Sequence, residues 1–266
     1  MLKKIIISST ILIVLTIILV IFNTCMNTII LGITINLITA LIGYTFGIVA
    51  EYYNDIKLIL VCYLKYYKKN IRVSVSYLYR IKVDGKYLLV KSNRIPGQYQ
   101  PVGGVYKKYD TSNKYLDELN VKDDNGFSMD KDNKDDLRLR VPSENLYKFI
   151  KWFENREDRE LDPIREFYEE LVSVGVLPKE VFHYFSYRFI RQIRNSIKYS
   201  EHFKCNEMLI SNIYELLPTA DQLIELKKLL GNESTYYRWF TCEEIECLGH
   251  TTNSEYRVSP TAKWTL

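Results

Sequence analysis

The sequence predicts an α+β protein that begins with a two-helix transmembrane hairpin. Three observations predict it. Residues 1–50 carry only two charged side chains, Lys3 and Lys4, so a slightly negative mean hydropathy hides an apolar beginning. Two uncharged stretches in that region are each long enough to cross a bilayer as a helix. Beyond them, strand-like and helix-like segments mix without regular βαβ alternation, which argues against a doubly wound sheet. The net charge of +4 is too small to point to nucleic acid by itself, and no direct nucleic-acid partner is expected.

The first stretch, Ile5 to Phe22, has only Ser8, Ser9, Thr10 and Thr16 as polar residues. As a helix it spans about 27 Å, close to the hydrocarbon thickness. The second runs from Thr28 to Ala50, and the five residues 23–27 between them force an antiparallel hairpin. Backbone groups in lipid must bond internally, so both segments are read as helices. A cleaved signal peptide is disfavoured, because Phe22 and Thr24 are too large for a cleavage site before Cys25 and a second span follows at once. Lys3 and Lys4 precede the first span, while Lys57, Lys65, Lys68, Lys69 and Arg72 follow the second. Both termini are therefore expected on the cytoplasmic side of a bacterial inner membrane. Gly43-Tyr44-Thr45-Phe46-Gly47 places two small residues four apart, with Gly32 and Asn36 further out, a pattern that lets helices approach closely.

Residues 51–71 read as a juxtamembrane linker helix packing Ile56, Leu58, Ile59, Leu60, Val61 and Leu64, and residues 72–266 as the soluble domain. Val73, Val75, Tyr77 and Tyr79 alternate with Ser74, Ser76 and Leu78, and Asp84-Gly85 turns this strand into Lys86–Val90. Residues 105–150 form a polar insertion, with Asp and Lys dominating from Lys122 to Asp136. Asp130, Asp132 and Asp135 lack the turn glycine and closing Glu of a calcium loop. The apolar positions Leu161, Ile164, Phe167, Tyr168, Leu171 and Val174 predict a helix, with Asp162 as N-cap and Pro163 in its first turn. Strands are expected at 182–190, 197–203, 208–216 and 236–240. A helix is expected over Ala220–Leu230, ended by Gly231, and another begins at Pro260. Cys25, Cys62, Cys205, Cys242 and Cys247 show no CxxC pair, so reduced thiols are expected rather than a zinc site, even with His250 near the last two.

The segment with a chemical signature is Arg165-Glu166-Phe167-Tyr168-Glu169-Glu170. Glu166, Glu169 and Glu170 stand three and four apart on a helix, so their carboxylates share a face and repel unless solvated or bridged by a cation. Oxygen-only ligands suit Mg²⁺. A second candidate is Arg188, Arg191 and Arg194 near Tyr184, Tyr187 and Tyr199, a set able to hold phosphates and stack bases.

Glu157, Arg165, Glu166, Phe167, Glu169 and Glu170 resemble the Nudix box at its correct spacing. Gln100-Pro101-Val102-Gly103-Gly104 is similar to the paired glycines that precede such a box. Arg238-Trp239-Phe240, Glu243-Glu244-Ile245 and Pro260–Trp264 are similar to the end of the domain. The resemblance implies a Nudix-like mixed-sheet α/β/α domain. It also implies Mg²⁺ on Glu166, Glu169 and Glu170, with Arg165 orienting a glutamate and Glu157 as a supporting ligand or base. The chain departs from the pattern at Lys151 and Val172, where the box has glycines, and by the long insertion before Glu157. These departures weigh against hydrolysis.

Two spans joined to such a domain look like the CBASS antiphage effectors of the two-transmembrane–Nudix type, CD-NTase-associated proteins with a SMODS-associated Nudix domain. That resemblance implies that a CD-NTase makes a cyclic nucleotide and that the Nudix-like domain binds it. The helices then assemble into a homo-oligomer through surfaces such as Gly43 and Gly47, disrupting inner-membrane lipids and causing abortive infection. The alternative it leaves is a membrane-tethered, metal-dependent Nudix hydrolase of a nucleoside diphosphate derivative.

Overall fold

A run of apolar residues without helix breakers makes the first fifty residues helical in the computed structural model, which describes all residues except 1, 23–27, 125–134, 233 and 252–253. The expected hairpin turn with Cys25, and the aspartates Asp130 and Asp132, lie outside the described residues. The chain divides into two units, residues 1–68 and 69–266.

In the first unit, α1 (Leu2–Phe22) and α2 (Thr28–Glu51) pack on each other and α3 (Tyr53–Leu64) follows. Leu31, Thr34, Ile38, Leu41, Thr45 and Ile48 are the shielded residues of α2, alternating by three and four along one stripe. Gly32, Asn36, Gly43 and Gly47 lie off this stripe and are exposed. A Cβ added at Gly43 or Gly47 would meet nothing within 4 Å. Within one chain the glycines therefore do not mediate the helix–helix contact. By length and composition Leu31–Glu51 can cross a membrane, whereas the apolar stretch Ile7–Ile18 is shorter. On α3, Asp55, Leu58 and Cys62 are buried, but Leu60 and Leu64 are exposed rather than packed. Leu58 and Cys62 lie four apart on one face, and Leu60 and Leu64 on another.

The second unit is built on two sheets. Its strands are β1 (Asn70–Arg80), β2 (Lys82–Val83), β3 (Lys86–Lys91), β4 (Gln98–Pro101), β5 (Gly103–Val105), β6 (Lys122–Asp123), β7 (Arg138–Pro142), β8 (Ser186–Arg194), β9 (Lys198–Ser200), β10 (Cys205–Leu217), β11 (Tyr237–Phe240), β12 (His250–Thr251), β13 (Ser254–Glu255) and β14 (Arg257–Val258). Its helices are α4 (Asn113–Glu118), α5 (Leu146–Asn155), α6 (Ile164–Phe167), α7 (Ala220–Leu230) and α8 (Cys242–Glu246). Among the described residues, the larger sheet runs β6-β7-β1-β10-β8, with β5 also on β1 and β9 on β10. Its centre is a parallel pairing of β1 with β10, Arg72 opposite Glu207 through Arg80 opposite Glu215. The smaller sheet runs β11-β3-β4-β14, with β2 on β3. The domain is mixed α+β, as predicted.

Several local expectations change. Asp84 and Gly85 do form the hairpin turn, both at positive φ, but they join β2 to β3. β1 belongs to the other sheet and, as a central strand, is buried on both sides instead of one. The expected insertion is not polar throughout, because Leu137, Leu139 and Val141 are buried and β7 pairs with β1. Leu146, Phe149, Ile150, Trp152 and Phe153 give α5 an apolar face that is buried. The first expected strand of the later set begins only at Ser186, and the segment from Pro260 forms a 3₁₀ helix to Thr265. α7 has the expected bounds, opened by a capping box between Thr219 and Gln222.

Candidate functional site

The site is assembled where β5 lies against β1 and α6 docks over both. Tyr77 pairs with Gly104 and Leu78 with Gly103. Tyr77 and Tyr79 stand two residues apart on one face of β1, Tyr77 edge-on to Tyr106 (centroids 4.8 Å) and Tyr79 to Phe167 (5.4 Å). The backbone N–H of Glu166 donates to the Tyr77 hydroxyl at 3.2 Å, and the Tyr79 hydroxyl donates to the Pro163 carbonyl at 3.1 Å. Two buried phenols thus fix the first turn of α6. Asp162 does not cap that turn, because its Oδ1 accepts from the Tyr187 hydroxyl at 2.6 Å.

After Phe167 the helix widens into a π-helical turn, Tyr168–Val172, closed by the Ser173 N–H donating to the Tyr168 carbonyl at 2.7 Å. The extra residue shifts the helical phase, so Val172 is buried while Val174 stays exposed. Glu166 and Glu170 both turn toward the paired glycines. Glu170 Oε2 accepts the Gly103 N–H at 2.9 Å, and the Glu166 carboxyl group fills the space where a Gly104 side chain would be. The Glu169 side chain remains about half exposed, at 56%.

Arg165 binds this arrangement together. Its Nη1 donates to Glu166 Oε1 at 2.7 Å, its Nε to Glu160 Oε1 at 3.2 Å and its Nη2 to the Val105 carbonyl at 2.9 Å. Burial works against its charge, but Tyr77, Glu166 and Glu160 hold the guanidinium above its ordinary value. Glu160 also accepts the Lys107 N–H at 3.1 Å, so it joins the loop to the strand end. Glu157, chosen from the box spacing, is exposed on the loop after α5. The acid that the fold brings to Arg165 is the one three residues later. No spacing rule pointed to Glu160.

Burial, with the Glu166 and Glu169 carboxylates adding to it, pushes Glu170 up to about 8. The Gly103 N–H and Arg94 oppose that rise. Arg138, which pairs with Asp136 at 2.7 Å, is lowered to about 10 by burial while Glu166 raises it. Arg94, Arg138 and Arg165 therefore supply the positive charge among these acids. The donor set has the chemistry of a Mg²⁺ site, but the geometry does not gather it. Among the described residues no group of three His, Cys, Asp or Glu side chains is arranged to hold a metal ion. Mg²⁺ at the box requires Glu166 to leave Arg165.

The raised carboxyl has a testable consequence. The folded state holds the Glu170 proton to about pH 8, whereas the unfolded chain releases it near pH 4.3. Stability is therefore expected to fall as pH rises between those values, with the loss complete above the higher one. Glu170→Gln should match wild type near pH 4 and exceed it by about 2 kcal/mol at pH 8.5 in urea titrations. An unchanged difference across that range contradicts the assignment.

The arginine group on β8 is not one site. Arg188 pairs with Glu215, and Arg191 Nη2 donates to the carbonyls of Trp264 and Leu266, both at 2.9 Å. Arg194 faces Glu154 at 4.0 Å. A bulge near Tyr214 interrupts the alternation, leaving Arg188 and Arg191 opposite Glu215 and Ile213 while Arg194 pairs with Ile210 on the other face. Tyr184 and Tyr199 are exposed. Cys62, Cys205, Cys242 and Cys247 are free thiols.

The family model of the SMODS-associated NUDIX domain matches residues 70–266, the whole of the two-sheet unit and its box. The chain belongs to the SMODS-associated NUDIX domain family. That membership supports a role as a CBASS-associated effector. No curated protein matches the chain. Among solved structures it is similar to the solution structure of the E. coli ORF135 protein, at 12% identity over 73% of this chain and 86% of that one. The TM-score is 0.27, too low to bear on fold or function.

Proposed function

We propose that this SMODS-associated NUDIX domain protein is a membrane effector whose soluble domain senses a cyclic nucleotide made by a CD-NTase. Binding drives its N-terminal helices to assemble and disrupt the bacterial inner membrane, ending in abortive infection. The observation that carries the proposal is the union in one chain of this family's domain with an apolar, almost wholly unburied helical segment of 21 residues.

Further features support it. α1 and α2 together give two spans with both ends on the cytoplasmic side, where Lys57, Lys65, Lys68, Lys69 and Arg72 follow α2. Tyr53, Tyr63 and Tyr67 are exposed on and just beyond α3, the residue type that settles at a membrane–water boundary. The open faces of Gly43 and Gly47 suit approach by another copy. Around the box, arginines already neutralise the acids that a hydrolase would turn toward a metal. A ligand can drive assembly only through tighter binding to the assembled state.

The test is reconstitution of the full chain into dye-filled vesicles containing anionic lipid. Cyclic diadenylate and cyclic triadenylate are then added in turn. Dye release with one of them, and none with ATP, is the expected result. Binding without release, accompanied by Mg²⁺-dependent consumption of the nucleotide, would instead establish a membrane-tethered hydrolase.

A further inference from the structure

The smaller sheet carries a second candidate site, away from the box. A cleft of about 640 Å³ opens beside β11, at its edge position in that sheet, and against the loop after α7. That volume is in the range of small-molecule sites. Its walls include Lys86, Lys91, Arg238, Tyr99, Trp239 and Tyr256, and no carboxylate lines it among the described residues.

Strand pairing explains the convergence. Lys91 is opposite Tyr99 and Leu89 is opposite Arg238, so Lys91, Tyr99 and Arg238 share one face of the sheet. The Arg238 guanidinium lies over the Tyr256 ring, 3.9 Å from its centroid. Two N–H donors at this cleft, Arg238 Nε and Trp239 Nε1, are buried and have no hydrogen-bond partner. Folded proteins rarely leave buried donors unsatisfied, and such groups call for an acceptor from elsewhere. Lys86 and Lys91 are exposed cations at the same opening.

We infer that this cleft is the nucleotide-binding site: phosphate oxygens accept from Arg238 and the two lysines, and a base stacks against the tyrosines. The inference rests on the sensing reading above and gives it a location. Three cations without a lining acid select an anion, and the rings select one with a planar π face. The β8 arginines do not compete for that role, because their donors are committed to Glu215, the chain end and Glu154. The box does not compete either, because its open side is acidic.

Calorimetric titration of the detergent-solubilised full chain tests the site, with cyclic diadenylate, cyclic triadenylate, cyclic AMP and tripolyphosphate as probes. One cyclic nucleotide should bind, and tripolyphosphate, which has no base, should bind about tenfold weaker or not at all. Lys86→Glu combined with Lys91→Glu should weaken the nucleotide about tenfold or more. Arg238→Lys keeps the charge but loses the flat stack, and it should weaken binding too. Glu169→Gln with Glu170→Gln should leave affinity within about twofold, because these acids lie outside the cleft. Unchanged affinity in the lysine double variant and in Arg238→Lys would place the nucleotide elsewhere and overturn the cleft while leaving the sensing function standing. Equal binding of tripolyphosphate would make this a plain anion site and overturn the nucleotide assignment. Failure of every cyclic nucleotide to bind the wild type would remove the sensing reading and the cleft together.

Discussion

Gly103→Ala is expected to destabilise the domain by about 3 kcal/mol or more, enough to leave much of a marginally stable domain unfolded. Gly103 sits at φ 143°, a conformation L side chains rarely adopt, and an added Cβ would collide with the Tyr77 carbonyl. That carbonyl belongs to the central strand of the larger sheet and cannot move without breaking the pairing of β1 with β10. Its neighbour behaves differently. A Cβ at Gly104 meets only the carboxyl end of Glu166, which can swing aside. Gly104→Ala should therefore cost about 1 kcal/mol, chiefly through the loosened Arg165–Glu166 pair. Urea titration of the full chain by tryptophan fluorescence separates the two. Equal midpoints for both variants would contradict the geometry described here.

The contrast shows what paired glycines can and cannot reveal in a sequence. Gly103-Gly104 and the box spacing marked the right two segments, and the fold brings them into contact. The partners within that contact were not legible. Arg165 takes Glu160 because the loop after α5 returns beside β5, with the Glu160 N–H donating to the Lys107 carbonyl at 2.8 Å. A local spacing rule carries no information about where a loop returns. The π-helical turn was equally hidden, since the apolar positions around Leu171 fit an ordinary helix until the phase shift is known.

Elsewhere, legibility followed how local the determining interactions are. α7 was read with its bounds because a capping box and a closing glycine act within one turn. The Asp84-Gly85 turn was read because positive φ at both positions is a local demand. The strand it serves was misassigned, since the choice between two sheets is made by distant β10. β7 was missed for the same reason: its neighbours are charged, and Arg138 and Arg140 disguise a strand whose Leu139 and Val141 are buried. The cleft beside β11 depends on β3, β4, β11 and the segment before β14. In sequence, Arg238-Trp239 showed only as a pattern near the end of the domain.

Gly43→Leu with Gly47→Leu is expected to abolish phage protection while leaving expression and membrane insertion intact. The reasoning turns on the two faces of α2. Leu31, Thr34, Ile38, Leu41, Thr45 and Ile48 form the shielded stripe, and the glycines are outside it with open space at both positions. Leucine there adds apolar surface without disturbing the contact within the chain, so the single-chain hairpin survives. What it removes is the flat surface that lets a second helix backbone come near, and loss of a GxxxG contact blocks close assembly. Ile38→Asn, placed on the shielded stripe, should instead impair the hairpin itself and lower the amount of protein in the membrane. Glu169→Gln with Glu170→Gln should keep protection, because sensing at the β11 cleft does not use those acids. The decisive comparison is plaque formation beside membrane-fraction yield for the three variants. If the glutamate variant alone loses protection, and the purified wild type turns over a nucleotide only with Mg²⁺, the weapon is catalysis and the helices are an anchor. If the leucine variant protects fully, the glycine face has no part in assembly, and the surface that joins the copies must lie elsewhere on the chain.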